Sequence, residues 1–395
     1  MIDRLLSDPK VMQAVSEHAL SEDMPQDIAA AKARRYAREI VPSFSVFTYF
    51  GFAIRVSRFL SEALYRVRLG FVDDTSLKAV DPDATVVFVM NHRSNMDYVL
   101  VTYLAAERSA LSYAVGEWAR VWPLKQLIRS LGAYFIRRKS RNPLYRKVLA
   151  RYVQMATEGG VSQAIFPEGG LSLDGRPRDA KLGLLSYIVD GFDRSGARDV
   201  VFIPVGLNYD RVLEDRVLTK VDPDGERRFE FKFWVFLGFI QRQVWLRLTK
   251  KFYRFGYACV SFGRPVSLKG FMVDHKGPSD ALTEELGLHL MGKVKQVIPV
   301  LPVPLVATAL CGMPDGCSRL ELKARCLDLL KDFSQAGAHV HLPDHDQDYA
   351  IEIGLRILKL RHLIDETEGA ITLPAQQRHL LRYYANSVEH LLPQK

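Results

Sequence analysis

A histidine and an aspartate five residues apart are the first candidates for chemistry in this chain of 395 residues. His92 follows a short apolar run, Thr85–Met90, and Asp97 lies in an apolar-periodic segment that begins at Met96. This pattern predicts a strand, a turn and a helix. Two residues five apart on one continuous helix would point about 140° away from each other, whereas across a turn the carboxylate can reach the imidazole. It would then fix the tautomer of the ring and leave the other nitrogen free to act as a base. The alternative is that Ser94 and Asp97 only cap the helix and that His92 has no role.

A cluster of cations follows the next short apolar run, at 132–136. Arg137, Arg138 and Lys139 suit a phosphate, because the planar guanidinium of arginine matches phosphate oxygens. A solvated run of surface charge explains the same three residues equally well.

A Pro-Glu-Gly-Gly turn follows the apolar run at 162–166. Pro167 forbids continuation of the strand, and Gly169 and Gly170 let the backbone approach a ligand closely. Glu168 could bind a substrate hydroxyl or be an ordinary turn acid. Positive charge is added downstream by Arg176, Arg178 and Lys181.

The elements that must position these loops alternate between strand and helix patterns. They predict an α/β fold with a mixed, largely parallel sheet flanked by helices. The expected strands are 85–90, 132–136, 162–166, 200–207 and 257–262, and the expected helices are 96–106, 122–130, 144–158 and 182–190. Pro204 lies within one of these strands and indicates a sheet edge or a bulge, against the alternative of a plain buried strand. Ligands gather at the loops that leave the carboxyl ends of parallel strands.

Helical patterns flank this region on both sides. Residues 1–75 are expected to be helical, and arginines on an aromatic-rich stretch at 44–67 favour packing on the domain or a place in a membrane interface. The expected C-terminal helices are 282–297, 319–333, 349–364 and 374–392, with a proline-punctuated stretch at 299–310. The sequence therefore predicts an N-terminal helical region (1–75), an α/β domain (76–270) and a C-terminal helical region (271–395).

The charge of the chain is positive and unevenly placed, with a net charge of +9. Residues 118–157 contain ten Lys or Arg and no acid, and residues 231–273 contain eight and no acid. Such blocks predict an anionic partner. Aromatic residues alternate with Lys and Arg at 229–256, which favours a bilayer surface over a simple core segment. No nucleic-acid-binding module is recognisable, so no nucleic acid is expected as a partner.

Cysteines and histidines give weaker signals. The chain has four Cys in no paired framework, which fits a reducing, cytosolic compartment. The histidines at 339–345 resemble metal ligands, but no second cluster has zinc-type spacing, so no metal is expected. The N-terminus lacks the apolar core of a signal peptide, and no run of about 18 uncharged apolar residues predicts a spanning helix.

Taken together, the loops resemble the four motifs of glycerolipid acyltransferases, in the same order. The matching residues are Asn91-His92-x-x-x-x-Asp97, Gly132-Ala133-Tyr134-Phe135-Ile136-Arg137-Arg138, Phe166-Pro167-Glu168-Gly169-Gly170 and Ile203-Pro204-Val205-Gly206-x-x-Tyr209-Asp210-Arg211. The second and fourth are most similar to the branch that acylates glycerol 3-phosphate or dihydroxyacetone phosphate.

This resemblance implies a mechanism. His92, oriented by Asp97, would take a proton from the primary hydroxyl of glycerol 3-phosphate, whose oxygen attacks an acyl thioester. The donor would be acyl-CoA or acyl carrier protein, with no metal or organic cofactor, and the product would be 1-acylglycerol 3-phosphate. The protein would lie peripherally at an anionic lipid surface, the cytoplasmic face of the cell membrane. The phosphate would be held by Arg137 with Arg178 or Lys181, the glycerol hydroxyls would lie near Glu168 and Gly169, and the substrate-binding residues would also include Arg138, Gly170 and Pro204.

The third motif departs from the family pattern. The family has two arginines where this chain has Leu171 and Leu173. The loss of one charged hydrogen bond costs about 1.5–3 kcal/mol. Either Arg176 or Arg178 takes over, or the acceptor is another one, such as dihydroxyacetone phosphate, lysophosphatidate or another lysolipid. A non-catalytic relative that binds lipid or carrier is the third alternative.

Overall fold

The structure, a computed structural model, describes residues 1–43, 45, 49–51, 54–105, 112–115, 132–137, 140, 142–220, 254–275 and 279–393. In these parts the helices are α1 (Ile2–Leu6), α2 (Pro9–Ser21), α3 (Gln26–Ile40), α4 (Ile54–Leu64), α5 (Asp74–Lys78), α6 (Met96–Ala105), α7 (Pro143–Glu158), α8 (Gly183–Asp190), α9 (Asp215–Leu218), α10 (Leu268–Asp274), α11 (Ser279–Gln296), α12 (Pro302–Cys311), α13 (Arg319–Gln335), α14 (Gln347–Leu360) and α15 (Arg378–Ala385). The strands are β1 (Arg66–Val72), β2 (Thr85–Met90), β3 (Ser112–Val115), β4 (Tyr134–Phe135), β5 (Gln163–Ile165), β6 (Val200–Tyr209), β7 (Tyr257–Phe262), β8 (Val266–Ser267), β9 (Cys317–Ser318), β10 (Asp365–Thr367) and β11 (Ala370–Thr372). Short 3₁₀ turns span Pro343–His345, Ala375–Gln377 and Glu389–Leu391.

Eight of the described strands form one sheet in the order β1-β7-β6-β2-β5-β3-β4, with β8 paired to β6, and the other three form a small sheet in the order β10-β11-β9. Neighbouring strands of the larger sheet run parallel, except that β6 is antiparallel to both β7 and β8. The predicted mixed, largely parallel sheet is therefore confirmed. The carboxyl ends of β2, β5 and β6 lie at one edge, where their polar loops meet.

Strand β2 lies at the centre of the sheet and is covered on both faces. Val87 and Val89 pack into a core with α2, α3, α7, α8 and α11, whereas Phe88 and Met90 pack into a second core with residues of α12 to α15. Because both faces are buried, the strand appears in the sequence as a continuous apolar run. The C-terminal helices thus share a core with the sheet.

Local sequence signals explain the ends of the main helices. Asn142 caps α7 by accepting from the backbone of Tyr145, and Pro143 occupies its first turn. Ser318 and Glu321 form a capping box at the start of α13. None of the helices in the described parts of the chain has the length and apolar character needed to cross a membrane.

The flanking regions depart from the expected all-helical pattern in several places. The helix expected at 374–392 is limited to α15, between two short 3₁₀ turns. Arg66–Val72 is an edge strand, not helix, because its polar and apolar residues alternate with the period of a strand. The proline-punctuated stretch contains α12, since Pro302 and Pro304 lie in its first turn, where no intrahelical N–H bond is needed. The helix expected at 349–364 ends at Leu360 and is followed by a hairpin of β10 and β11. The helix expected at 122–130 lies outside the described residues, as does most of the segment 229–256.

Candidate active site

The loop after β2 brings His92 and Asp97 together. Nδ1 of His92 lies 2.9 Å from Oδ2 of Asp97, and the two side chains are only 2% and 0% exposed. His92 precedes α6, and Asp97 lies in its first turn. This bond places the ring proton on Nδ1 and leaves Nε2 as the nitrogen that can accept a proton.

Three further donors hold the Asp97 carboxylate. The backbone N–H groups of Arg93 and Ser94 donate to Oδ2 at 2.7 and 3.0 Å, and the Tyr209 hydroxyl donates to Oδ1 at 2.6 Å. These two amides precede α6, so Asp97 reaches back from the first turn as the acid of a capping box does, while the Ser94 hydroxyl oxygen accepts from the N–H of Met96 at 3.1 Å. Capping of the helix and orientation of the imidazole are therefore both observed in this loop.

Two polar contacts that the sequence analysis missed hold this loop against β6 and α9. The Asn91 side chain donates to the carbonyl of Leu207 and accepts from its N–H, at 2.9 and 2.8 Å. The Glu214 carboxylate accepts from the Ser94 hydroxyl at 2.8 Å and from the Asn95 backbone at 3.1 Å. Asn91 belongs to the first motif and could have been singled out, whereas nothing in the local sequence marks Glu214.

Glu168 lies beneath the histidine. Its Oε1 accepts from the backbone N–H of His92 at 3.3 Å, and no donor of the described residues forms a hydrogen bond with Oε2. Burial raises the pKa of Glu168 to about 8, although the backbone amides of His92 and Arg178 oppose that rise. Its carboxyl group therefore positions the first motif and has one oxygen left for a further partner.

Aromatic rings enclose the imidazole. The Phe166 ring lies 4.2 Å from the ring of His92, tilted by 30°, and the Tyr98 ring meets it edge-on at 5.5 Å. The carbonyl of His92 accepts from the N–H of Ser172 at 2.9 Å. The first and third motifs are thus locked together around the base.

A cavity of about 400 Å³ lies beside the turn of the third motif, and neither His92 nor Asp97 lines it. Phe166, which contacts His92, forms part of its wall. Of the seven predicted substrate-binding residues that the structure describes, three line it, namely Arg137, Gly169 and Lys181. Arg146 adds a further cation, and an apolar side is formed by Ile136, Leu149, Ile165, Leu184 and Tyr187. The cavity can receive a small anion with an apolar substituent.

Arg137 is already paired in this structure. Its Nε and Nη2 donate to the Glu39 carboxylate of α3 at 2.9 and 2.7 Å. The guanidinium also lies 5.4 Å from the ring centre of Tyr36 and 5.5 Å from that of Tyr145. A phosphate bound here would share Arg137 with Glu39.

The next predicted binding residues lie on or close to the turn of the third motif. Gly169 has a φ of +71°, and a Cβ there would lie 2.7 Å from Cδ of Lys181, so the glycine lets the lysine lie against the turn. Arg178 is half-buried, and its backbone amide lies close to the carboxyl group of Glu168. Gly170 completes the turn and is also half-buried. Arg138 and Lys139 lie outside the described residues.

Pro204 lies within the sheet and not in the cavity. It pairs in register with Val89 of β2. On the other side of β6, the pairing with β8 ends at Phe202 and the pairing with β7 begins at Val205, so Pro204 lies between the two. The carbonyl of Pro204 accepts from the N–H of Gly263 at 2.8 Å. The proline therefore lies in a central strand, at a gap between two partners where no ladder N–H is required.

The two leucines of the third motif face the core. Leu171 is 9% exposed and belongs to the core that contains Met90, and Leu173 packs against that core. Arg176 is exposed, and its carbonyl accepts from the Ser172 hydroxyl at 2.8 Å. The loop thus uses these positions for packing rather than for binding an anion.

The C-terminal helix α15 reaches the same loop. The Arg93 guanidinium is buried, lies 4.5 Å from the ring centre of Tyr383 and donates from Nη1 to the carbonyl of Gly175 at 2.7 Å. Gly175 has a φ of +91°, and a Cβ there would overlap the carbonyl of Tyr383, which only glycine avoids. The residue next to the candidate base is thus held by the C-terminal region.

Asp210 joins the sheet to the C-terminal region. Its carboxylate is fully buried and accepts from the N–H groups of Tyr257 and Val303, both at 2.8 Å. Burial raises the pKa of Asp210 to about 7. Val303 lies in the first turn of α12, so the fourth motif holds the start of that helix.

Comparison with known proteins gives two family matches along the chain. Residues 72–208 match the family described as acyltransferase, and residues 244–394 match the one described as glycerol-3-phosphate acyltransferase C-terminal region. The first match includes the loops that carry His92, Asp97 and Glu168, and the second includes α15.

Curated relatives match along nearly the whole chain. The glycerol-3-phosphate acyltransferases of Pseudomonas entomophila (strain L48) and Pseudomonas putida (strain GB-1) are each 29% identical over 99% of it. The chain spans about half the length of these relatives, 48% in both. Among solved structures, the 1-acyl-sn-glycerophosphate (LPA) acyltransferase PlsC from Thermotoga maritima has 19% identity and a TM-score of 0.36, covering 62% of this chain and 78% of that one.

Proposed function

Because residues 72–208 and 244–394 match an acyltransferase family and the C-terminal region of glycerol-3-phosphate acyltransferases, we propose that the chain transfers a fatty acyl group from an acyl thioester to the sn-1 hydroxyl of glycerol 3-phosphate. The product is 1-acylglycerol 3-phosphate, a precursor of phospholipids. The observation that carries the proposal is the buried bond of 2.9 Å between His92 and Asp97, next to a cation-lined cavity.

The proposed reaction starts at Nε2 of His92. This nitrogen takes the proton of the acceptor hydroxyl as its oxygen attacks the thioester carbonyl carbon. The tetrahedral intermediate collapses, the carbon–sulfur bond breaks, and the imidazolium returns the proton to the thiolate. Asp97 stabilises the imidazolium between these steps. No metal or organic cofactor takes part, since the thioester itself supplies the leaving group.

The acceptor is proposed to bind in the cavity beside Phe166. Arg137 and Lys181 supply the positive charge for its phosphate, and Arg178 is a third candidate. The free Oε2 of Glu168 is suited to a glycerol hydroxyl. Held in this way, the primary hydroxyl would be positioned for attack, which is itself a large part of catalysis.

We propose that the protein works at the cytoplasmic face of the cell membrane as a peripheral protein, with acyl-CoA or acyl carrier protein as the donor. Helix α4 supports this placement, because it exposes 65% of Phe59 beside the exposed Arg55 and Arg58. Apolar and cationic side chains on one exposed face suit an anionic bilayer surface.

The experiment is thiol release from palmitoyl-CoA and palmitoyl carrier protein by the full chain with anionic liposomes. Release should require glycerol 3-phosphate and should fall about 10²- to 10⁴-fold in His92→Gln, whereas His289→Gln, which changes an exposed histidine of α11, should behave as wild type. Leu171 and Leu173 favour testing dihydroxyacetone phosphate and lysophosphatidate in parallel. Release with one of these alone would change the acceptor, and no release with any of them would leave a binding protein.

A further inference from the structure

A second cavity, of about 710 Å³, lies outside the candidate active site. It opens between the first residues of β1 and β7 on one side and helices α13 and α14 on the other. Five cations and two tyrosines contribute to its lining, namely Arg66, Arg254, Arg319, Arg356, Lys359, Tyr257 and Tyr349. The carboxylates in the same lining are Glu352 and Glu366.

The positive charge of this cleft exceeds what its carboxylates can neutralise. Arg319 bonds to both Glu352 and Glu366, and Lys359 bonds to Glu366 at 2.9 Å. Arg66 donates to the Tyr257 hydroxyl at 3.3 Å, and neither Arg66 nor Arg254 has a carboxylate within 4 Å among the described residues. Both side chains are exposed. The cleft therefore offers cations to an anionic ligand.

The direction of the strands places this cleft at the active-site edge of the sheet. Strand β6 is parallel to β2, and β7 is antiparallel to β6, so β7 begins where β2 and β6 end. Strand β1 is parallel to β7 and begins at the same edge, with Arg66 in register with Tyr257. His92 follows β2, which is two strands from β7 and three from β1. At about 4.8 Å between neighbouring strands, the cleft lies on the order of 10–15 Å from the base.

We propose that the cleft binds the phosphate-bearing nucleotide end of an acyl-CoA donor. This inference rests on the proposed function and assigns it a donor. Arginine guanidiniums match phosphate oxygens, and the tyrosine rings suit a planar base. The volume is that of a small-molecule site, and the concave shape fits a nucleotide better than the surface of a carrier protein. The pantetheine arm would lead from the cleft along the sheet edge and bring the thioester to His92.

The test compares Arg66→Gln, Arg254→Gln and the double variant with Arg194→Gln. Arg194 is an exposed arginine in the loop before β6, at the opposite edge of the sheet, so it controls for the loss of charge alone. The first measurement is calorimetric binding of coenzyme A to the full chain, which needs no turnover. The second is acyl transfer from palmitoyl-CoA and from palmitoyl-pantetheine, which lacks the nucleotide.

Each cleft variant should weaken coenzyme A binding and raise the KM for palmitoyl-CoA by about tenfold, with an unchanged kcat and unchanged kinetics for palmitoyl-pantetheine. Coenzyme A binding that is absent in wild type, or equal in wild type and double variant, would overturn the inference. A higher KM for palmitoyl carrier protein alone would also overturn it and make the cleft a protein contact. If wild type shows no acyl transfer but the cleft variants lose coenzyme A binding, the cleft assignment is upheld and the proposed reaction is rejected. If wild type shows acyl transfer and the cleft variants have unaltered donor kinetics, the proposed reaction is upheld and the cleft assignment is rejected.

Discussion

The Tyr209 hydroxyl donates a hydrogen bond of 2.6 Å to Oδ1 of Asp97 from a strand that begins more than a hundred residues after the base. The same carboxylate holds Nδ1 of His92 through its other oxygen. Tyr209 therefore acts on the imidazole through Asp97 and is a positioning residue for the proposed reaction.

Tyr209→Phe removes this donor without changing the shape of the ring. The proposed base then loses part of the support of its carboxylate, and we expect kcat to fall about fivefold to twentyfold, since one buried hydrogen bond to a charged group contributes about 1.5–3 kcal/mol, only part of which reaches the transition state. The KM for either substrate should not change. The matched control is Tyr65→Phe. This change removes a hydroxyl that donates to the Arg211 carbonyl, on a ring that packs against the ring of Tyr209. Equal losses of kcat in the two variants would make the contribution of Tyr209 a matter of packing.

The ion pair between Arg137 and Glu39 gives a pair of opposite predictions. Arg137→Gln should raise the KM for glycerol 3-phosphate about tenfold or more, because a charged contact to phosphate is lost. Glu39→Gln frees the guanidinium and should leave that KM equal to or lower than that of wild type. Steady-state kinetics at fixed palmitoyl-CoA measure both, with Lys147→Gln, an exposed change on α7, as the control. A higher acceptor KM in Glu39→Gln would mean that the pair itself shapes the cavity.

Leu171→Arg restores the charge that the family has at this position, but it places the charge in the core. We expect the free energy of unfolding to fall by about 3 kcal/mol or more, since a guanidinium would be buried without a carboxylate. Leu171→Met, which keeps the volume, should cost less than about 1.5 kcal/mol. Urea denaturation followed by circular dichroism distinguishes the two. A stable Leu171→Arg with a lower acceptor KM would show that the loop can turn the residue towards the cavity.

Glu168 predicts a pH dependence of stability. Its folded-state pKa is raised to about 8 by burial, above the 4.5 of an unfolded chain. The folded protein therefore binds more protons than the unfolded one between these values, and wild type should lose stability as pH rises from about 4.5 to about 8, by up to about 1.4 kcal/mol per pH unit. Glu168→Gln lacks this group, so its stability relative to wild type should increase over that range. Thermal melts at pH 5, 7 and 9 in matched ionic strength give the difference, and parallel curves for the two proteins would contradict the prediction.

The features that could be predicted from the sequence are the local ones. The strand, turn and helix around His92 follow from an apolar run, a polar turn and an apolar period within fifteen residues. The mixed sheet follows from repetition of the same signals. Pro302 and Pro304 were misleading, because proline interrupts a helix but is tolerated at its start.

The features that could not be predicted depend on contacts between distant parts of the chain. Glu39 lies 98 residues from Arg137, and nothing in either segment indicates that they form an ion pair. The orientation of Leu171 depends on which face of the loop the C-terminal helices cover. From the sequence, a leucine at the place of a phosphate-binding arginine predicts a weakened phosphate site. The structure shows instead that Leu171 belongs to the hydrophobic core.

The contact between Arg93 and Tyr383 also sets an order of assembly during synthesis. The histidine loop is synthesised first, and the ring that covers its arginine follows about 290 residues later, together with the backbone that requires Gly175. At 5–20 residues per second this interval is on the order of 15–60 seconds. A nascent chain that has finished the sheet therefore contains the residues of the base but not its final surroundings, and those form only when α15 docks.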